Sequence, residues 1–254
     1  MMNVVVCVKQ IPDPNNPYQL DGNRLKRTGV QNVLDPGDEY GVEAALKLTE
    51  QAGGEVTAVS MGPASAMEAI RKALSMGAHK GILVSDDALA GADALATARV
   101  LAAAIKRAEP ELVILGVEST DGSAGVVPGM IAELLGMPQV TFAKHVELAD
   151  STLKVQRQTV AGYDVVECPL PAVLSVTAGV FEPRYPTFKG IMQAKSKPVD
   201  QLSVGDLGLG DEAKATQEVA QVAPAPARGA GEKFEDDGTG AAKIADFLKN
   251  AKVI

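Results

Sequence analysis

A chain of 254 residues, 46% hydrophobic and 22% charged, has the composition of a globular protein and can bury the core of one or two domains. Its formal net charge of −8 argues against nucleic acid and anionic membranes as main partners. Two distant cysteines, Cys7 and Cys168, indicate reduced buried thiols rather than a disulfide or a metal site. The N-terminus has no basic segment, and no apolar run approaches the length of a membrane span, so we expect a cytoplasmic protein.

The first 143 residues alternate short apolar runs with segments of helical period. We predict strands at 3–8, 55–60, 81–85, 111–116 and 139–143, and helices at 38–51, 64–75, 92–108 and 123–135. Runs rich in Val, Ile and Leu are typical of strands that are buried on both faces of a parallel sheet. The sequence therefore predicts an α/β fold with a doubly wound, mostly parallel five-stranded sheet in the order 3-2-1-4-5.

This predicted order also indicates where a ligand binds. Strand one neighbours strand four, and folds of this kind bind ligands in the crevice between the carboxyl ends of two such strands. Those ends are residues 7–9 and 116–118.

The stretch LGVESTDGSAGVVPGMIAELLGMP (115–138) begins at that crevice. Gly116 ends a strand, residues 121–123 form a turn, and the helix that follows offers unpaired N–H groups with partial positive charge. The stretch has no lysine or arginine and matches neither the P-loop nor the dinucleotide fingerprint. It therefore indicates backbone binding of one phosphate rather than transfer from a triphosphate. A helix start capped by Asp121 or Ser123 explains the same residues.

Two further segments end at the same edge of the predicted sheet. In LDPGDEYGVEAA, Asp35 is a candidate N-cap, Pro36 holds the first helical position and Asp38 adds an acidic group to the first turn. Capping explains these residues as well as ligand binding does. Met61 ends strand two, where a methionine more often packs than contacts a cofactor.

No catalytic constellation stands out in the sequence. His79 and His145 are isolated, and no nucleophile–base, zinc or paired-carboxylate spacing occurs. We therefore expect a chain without catalytic residues of its own.

The pattern changes beyond residue 143. Residues 145–179 alternate apolar and polar side chains between turn signals, which predicts additional antiparallel strands at the edge of the sheet. The predicted organisation is an α/β ligand-binding domain at 1–208 that includes an irregular loop at 181–198, an extended Ala/Pro/Gly-rich linker at 209–240, and a C-terminal helix at 241–254 that either frays or docks on a partner.

Several segments together resemble one protein family. They include VVCVKQIPD, LDPGDEYGVEAALKL, GPASAMEAIRKALSMGA and EPRYPTFKGIMQAK, and the combination of the last two is highly specific. Over nearly its whole length, the chain resembles the beta subunit of electron transfer flavoproteins, including the nitrogen-fixation-associated relatives.

This resemblance implies an α/β subunit that binds AMP structurally and pairs with an alpha subunit carrying most of the FAD site. Such heterodimers accept electrons from dehydrogenases, such as the acyl-CoA dehydrogenases of fatty acid β-oxidation, and pass them to a membrane quinone reductase. The positions that match the family's cofactor-binding segments are Cys7, Asp35, Pro36, Gly37, Asp38, Met61, Gly116, Val117, Glu118, Ser119, Thr120, Asp121, Gly122, Ser123, Ala124, Gly125, Val126 and Val127.

The segment around Phe188 resembles the loop with which this family binds its dehydrogenases. An exposed apolar anchor with Tyr185, Ile191 and Met192 beside it has the form of a binding hot spot. The C-terminal helix resembles the family's arm, which docks on the alpha subunit. Two alternatives remain open: an electron-bifurcating form with a second FAD in the AMP site, and a stand-alone adenine-nucleotide-binding regulator of the universal stress type.

Overall fold

The computed structural model describes residues 2–223, 226, 229, 231, 233, 235 and 237–254. The chain divides into two compact units, Met1–Ala220 and Gln221–Ile254. The predicted linker at 209–240 includes residues 224, 225, 227, 228, 230, 232, 234 and 236, which lie outside the described residues.

The strands of the described chain are β1 (Met2–Cys7), β2 (Gln10–Pro12), β3 (Leu20–Asp21), β4 (Arg24–Leu25), β5 (Asn32–Leu34), β6 (Gly54–Met61), β7 (Lys80–Val84), β8 (Leu112–Gly116), β9 (Gln139–Ala149), β10 (Thr152–Gln158), β11 (Tyr163–Pro169), β12 (Ala172–Val176) and β13 (Val199–Leu202). The helices are α1 (Pro36–Ala52), α2 (Met67–Met76), α3 (Ala94–Lys106), α4 (Val127–Leu135), α5 (Phe188–Ala194), α6 (Val204–Leu207) and α7 (Gly240–Asn250). Short 3₁₀ turns occupy Ala64–Ala66, Asp87–Leu89 and Gly210–Ala213.

A large central sheet organises the first unit. Among the described residues it has nine strands in the order β11-β10-β9-β12-β8-β1-β6-β7-β13. In this spatial order, each neighbouring pair in the segment β9-β12-β8-β1-β6-β7-β13 is parallel. The molecule is therefore a mixed α/β protein with a mostly parallel sheet, as the sequence predicts. The predicted order 3-2-1-4-5 is wrong at its last step, because β12 lies between the predicted fourth and fifth strands, β8 and β9.

The burial of β12 explains its interior position. All five of its residues are buried, with Leu174 facing one side of the sheet and Val173 the other. A strand that is apolar on both faces gains most between two other strands and under helices on both sides. The prediction of an antiparallel edge strand in this part of the sequence is therefore wrong for Ala172–Val176.

The sheet changes from parallel to antiparallel pairing along β9. This strand pairs parallel with β12 and antiparallel with β10, and both registers shift near Phe142, whose φ is 60°. From there β9, β10 and β11 form an antiparallel meander at one edge. The other edge is β13, a parallel strand that the sequence analysis does not include.

Helices cover both faces of the sheet. Val4 and Val6 of β1 pack with residues of α1 and α2, whereas Val5 packs with residues of α3 and α4. Alternate side chains of a strand point to opposite faces, so this fully buried strand lies at the centre of two apolar layers. The crevice at its carboxyl end is consequently supported on both sides.

The second unit contains the short amphipathic helix α7, which exposes Ile244 and Phe247. In the part of the chain that the structure describes, no helix is both long and apolar enough to cross a membrane.

Candidate functional site

The carboxyl ends of β1 and β8 lie side by side. These strands pair in parallel, with Val6 opposite Ile114. The first turn of α1 closes over the crevice, where the Lys9 N–H donates to Asp38 Oδ2 (2.8 Å) and the Gly116 N–H also donates to Asp38. A Cβ on Gly116 would lie only 2.9 Å from Asp38 Oδ1, so this close approach requires glycine.

Asp35 joins the start of α1 to the loop that follows β8. Its Oδ1 accepts the Gly37 N–H (3.0 Å), which is the N-cap that the sequence predicts. The same carboxylate accepts from Thr120, at 2.7 Å from both the backbone N and Oγ1. Because Asp35 is fully buried and bonded to two segments, it fixes the loop against the helix.

The neighbouring carboxyl of Asp38 is also buried. Burial raises the pKa of Asp38 well above its ordinary value, and the nearby Asp35 raises it further. Since its hydrogen-bond partners are the backbone N–H groups of Lys9 and Gly116, Asp38 serves to hold three chain segments together.

Two cations meet one carboxylate at the mouth of the crevice. Lys9 Nζ lies 2.6 Å from Asp121 Oδ1 and donates to Ser119 Oγ at 3.1 Å, while the Arg27 guanidinium pairs with Asp121 Oδ2. Burial by itself raises the pKa of Asp121, but Lys9 and Arg27 outweigh it and hold that pKa below its ordinary value. The site therefore contains two positive side chains, although the stretch 115–138 contains no basic residue.

The sequence analysis places Lys9 at the crevice, within residues 7–9, but assigns a binding role to neither Lys9 nor Arg27. Lys9 carries a usable signal, because it stands directly after the first predicted strand at the predicted ligand-binding edge. Arg27 carries none, since it lies in the irregular segment between β4 and β5 and reaches the site only through the fold. The inference of a binding loop without positive side chains holds for the stretch itself and is wrong for the site.

The loop between β8 and α4 presents backbone to the solvent. Ser119 O accepts the N–H groups of Gly122 (3.1 Å) and Ser123 (2.8 Å), and residues 122–126 are exposed. Ser123 and Gly125 have φ values of 45° and 64°, which turn the chain in the left-handed region.

The helix after this loop begins later than predicted. The sequence analysis places its start at residue 123, but α4 starts at Val127 and has no side-chain cap. The capped helix start expected as the alternative is wrong, because Asp121 pairs with the two cations and the helix begins four residues after Ser123. The N–H groups at the start of α4 are thus not bound by a side-chain cap.

The remaining predicted cofactor residues divide into two groups. Pro36, Gly37, Val117, Glu118, Ala124 and Val126 lie in the two segments that meet at the crevice. Cys7 is buried within the core on the α3 and α4 side, and burial raises its thiol pKa, as does the nearby Asp38. Met61, at the end of β6, packs against the same core. Cys7 and Met61 therefore support the floor of the crevice through packing.

The predicted partner segment is a separate exposed surface. Phe188 is 81% exposed, and Tyr185, Ile191 and Met192 are exposed beside it. Phe188 begins α5, whose N-cap is Thr187 through a bond from the Gly190 N–H (3.0 Å). An apolar surface of this size, on a capped helix rather than a disordered loop, has the form of a binding site for another protein.

Ion pairs around the buried Glu43 hold this segment on the domain. Arg184 donates through Nε and Nη2 to the two oxygens of Glu43 (2.7 and 2.9 Å), and its backbone N–H donates to the same carboxylate (3.1 Å). Its Nη1 also donates to Glu50 (2.6 Å), and these bonds raise the pKa of Arg184. Glu43 and Glu50 both belong to α1, so this helix carries crevice contacts at its start and the partner segment further along.

Comparison with known proteins identifies the family. A family model described as the electron transfer flavoprotein domain matches residues 23–207. Over 266 aligned positions that span both chains completely, the sequence is 43% identical to the electron transfer flavoprotein subunit beta of Mycobacterium tuberculosis (strain ATCC 25618 / H37Rv). The chain belongs to the electron transfer flavoprotein beta-subunit family. It is also 39% identical to this subunit of Thermoanaerobacterium thermosaccharolyticum, over 92% of each chain. It is 38% identical to subunit CarD of the caffeyl-CoA reductase–Etf complex of Acetobacterium woodii, over 91% of each chain.

Membership in this family confirms the resemblance seen in the sequence. An electron transfer flavoprotein beta subunit is an electron-carrier subunit that works with an alpha subunit and with dehydrogenases. In the described part of this beta subunit, no group of three or more His, Cys, Asp or Glu side chains could hold a metal ion.

The crevice of this beta subunit presents hydrogen-bond donors to the solvent. It combines an α4 N-terminus without a side-chain cap, exposed backbone at 122–126 and two cations within reach of solvent. Free N–H groups and basic side chains are the donors that a phosphate requires.

Proposed function

We propose that this beta subunit holds AMP in the crevice between β1 and β8, and that its heterodimer with an FAD-carrying alpha subunit shuttles electrons. The donors are acyl-CoA or related dehydrogenases, which dock on the surface around Phe188, and the acceptor is a membrane quinone reductase. The α7 arm docks on the alpha subunit. Family membership argues against the stand-alone regulator, because a self-sufficient sensor needs neither a docking surface nor an arm.

One observation carries the nucleotide part of this proposal. The uncapped start of α4 lies next to exposed backbone in a loop that Asp35 holds firmly against α1. A preorganised loop loses little conformational entropy on binding, so its N–H groups can bind a phosphate without first ordering the chain. The phosphate would contact residues 124–127, because the N–H groups of Gly122 and Ser123 already donate to Ser119 O, and the rest of the nucleotide would lie along the crevice.

A second FAD in the same crevice is the alternative that the geometry favours next. Lys9 and Arg27 supply two positive charges, which matches a pyrophosphate as well as a single phosphate. The absence of basic residues from stretch 115–138 therefore does not restrict the ligand to one phosphate. AMP remains our first proposal, and the nucleotide content decides between the two.

The test is to identify the nucleotides that the heterodimer carries. The full-length chain is produced with its alpha subunit, the complex is denatured, and the released nucleotides are separated and quantified. One AMP and one FAD per heterodimer support the proposal, whereas two FAD support the bifurcating form. A heterodimer that releases a single FAD and no second nucleotide contradicts both.

The docking part of the proposal predicts a kinetic effect of Phe188→Ala. Removing a large exposed anchor from the centre of an interface weakens binding by about 2 kcal/mol or more, or some 30-fold. Reduction of the heterodimer by its dehydrogenase should slow accordingly at subsaturating concentrations, while the nucleotide content stays unchanged. Val160→Ala is the control, because Val160 is an apolar residue that is even more exposed than Phe188 and lies on the β10–β11 turn, outside this surface. Equal rates for both variants contradict a docking role.

A further inference from the structure

The cluster of Lys9, Arg27 and Asp121 combines two partly exposed cations with a buried carboxylate. The Lys9 and Arg27 side chains are 40% and 38% exposed, whereas that of Asp121 is 0% exposed. A ligand approaching from the solvent therefore meets the two cations first, and the carboxylate lies behind them.

Asp121 differs from the other two aspartates of the crevice in what it binds. Asp35 and Asp38 accept backbone N–H groups and so fix the fold of the chain. The contacts of the Asp121 carboxylate, among the described residues, are the side chains of Lys9 and Arg27. Its bonds hold two basic side chains and involve no backbone N–H group.

The cations lie next to the exposed backbone that leads into α4. A Cβ on Gly122 would be 3.9 Å from Lys9 Nζ and 2.9 Å from Ser119 Oγ. The approach to Ser119 Oγ requires glycine at this position, and the distance to Lys9 Nζ is an ordinary contact. Lys9 therefore lies beside the turn at Gly122, just before the exposed residues 124–126 that lead into α4.

A phosphate monoester is a stronger partner for these cations than a carboxylate. It carries about −1.5 to −2 charges at pH 7 and three terminal oxygens, and the arginine fork binds two of them at once. A single carboxylate leaves the pair of cations with one positive charge in excess. The exposed Glu118 carboxylate borders the same loop, with Oε2 3.5 Å from the Cβ position of Gly125, and its charge opposes phosphate binding.

We infer that Lys9 and Arg27 are the phosphate-binding cations of the crevice and that the Asp121 carboxylate competes with the phosphate for them. This inference rests on the nucleotide site proposed above. The Asp121 carboxylate holds both side chains in position without a ligand, and the phosphate displaces it on binding. The pair thus makes the site selective for phosphorylated nucleosides over the nucleoside itself.

The experiment compares AMP with adenosine in the intact heterodimer. Dissociation constants for both labelled compounds are measured by equilibrium dialysis for the wild type and for Lys9→Gln, Arg27→Gln and Asp121→Asn. Lys26→Gln is the matched control, because it removes a neighbouring charge whose Nζ contacts only the neutral Gln19 side chain in the described structure (3.4 Å).

The expected pattern has opposite signs within one cluster. Lys9→Gln and Arg27→Gln should each weaken AMP at least tenfold and change adenosine less than twofold, because only AMP presents the charged oxygens. Asp121→Asn should tighten AMP at least threefold by removing the competing charge.

Three outcomes would overturn this inference while leaving the proposed function intact: AMP affinity unchanged by the cation variants, AMP and adenosine weakened in parallel, or Asp121→Asn weakening AMP. The second outcome means that the cluster is a structural ion pair. A wild-type heterodimer that binds neither AMP nor a second FAD contradicts the proposed function itself. The control variant should resemble the wild type, and a tenfold AMP loss in Lys26→Gln would show that general charge, rather than this pair, sets the affinity.

Discussion

The contact between Arg184 and Glu43 predicts a large loss of stability from Arg184→Met. Glu43 is only 2% exposed, and Arg184 supplies three of its hydrogen bonds, two of them from the guanidinium. Breaking a buried ion pair by removing one partner typically destabilises a protein by about 3–5 kcal/mol. The backbone N–H bond remains and the guanidinium side is partly exposed, so we expect about 2–3 kcal/mol, which is roughly 4–12 °C in Tm for a domain of this size.

Denaturant unfolding of the full-length chain, followed by circular dichroism, measures this loss. Glu50→Gln is the control, because Glu50 is half exposed and its pair with Arg184 should contribute less than about 1 kcal/mol. The double variant Arg184→Met/Glu43→Gln removes the stranded charge and should recover at least half of the loss. If Arg184→Met destabilises no more than Glu50→Gln, or if the double variant recovers nothing, the argument from a buried unpaired carboxylate is refuted.

Two other contacts predict changes that the same unfolding assay detects. Burial lowers the pKa of His79 below its ordinary value of 6.5, and His79 Nδ1 accepts the Val56 N–H (3.0 Å). Both effects favour the neutral imidazole in the folded protein. The free energy of unfolding should therefore fall as the pH drops below about 6.5. His79→Asn keeps an acceptor without the titration, and an equal loss of stability at pH 5.5 in both proteins would contradict this assignment. A Cβ on Gly190 would lie 2.5 Å from Ser75 O, so Gly190→Ala should push α5 from α2 and destabilise by about 1–3 kcal/mol. Gly205→Ala, whose nearest contact is 3.6 Å, should be close to neutral, and equal values for the two alanines would exclude a steric cause.

Composition and periodicity predict the parallel half of the sheet because each strand there is a single buried run. The strands β1, β6, β7 and β8 are such runs, separated by helices, and local pattern determines them. The insertion of β12 between β8 and β9 depends on pairing between distant segments. Its five buried residues carry a signal for an interior parallel strand, but the alternating strands before it mask that signal in the sequence.

The candidate site shows the same division between local and distant information. Asp35 is predictable as an N-cap, because a cap needs only its own helix and the residues just after it. The hydrogen bond from Thr120 to the same carboxylate is not predictable, because 85 residues separate Asp35 from Thr120. Lys9 and Arg27 reach Asp121 across 112 and 94 residues, and a charge absent from a motif can therefore still be present in its site.

Helix α1 contacts both of the surfaces for which we propose a function. Asp35 and Asp38 contact the crevice at its start, whereas Glu43 and Glu50 hold the partner segment further along. At a rise of 1.5 Å per residue, Asp35 and Glu43 are about 12 Å apart along the helix axis. Side chains at this distance without shared partners contribute nearly additively to stability and binding. A rigid helix therefore positions the crevice and the docking surface together, while a substitution in either one should leave the other working.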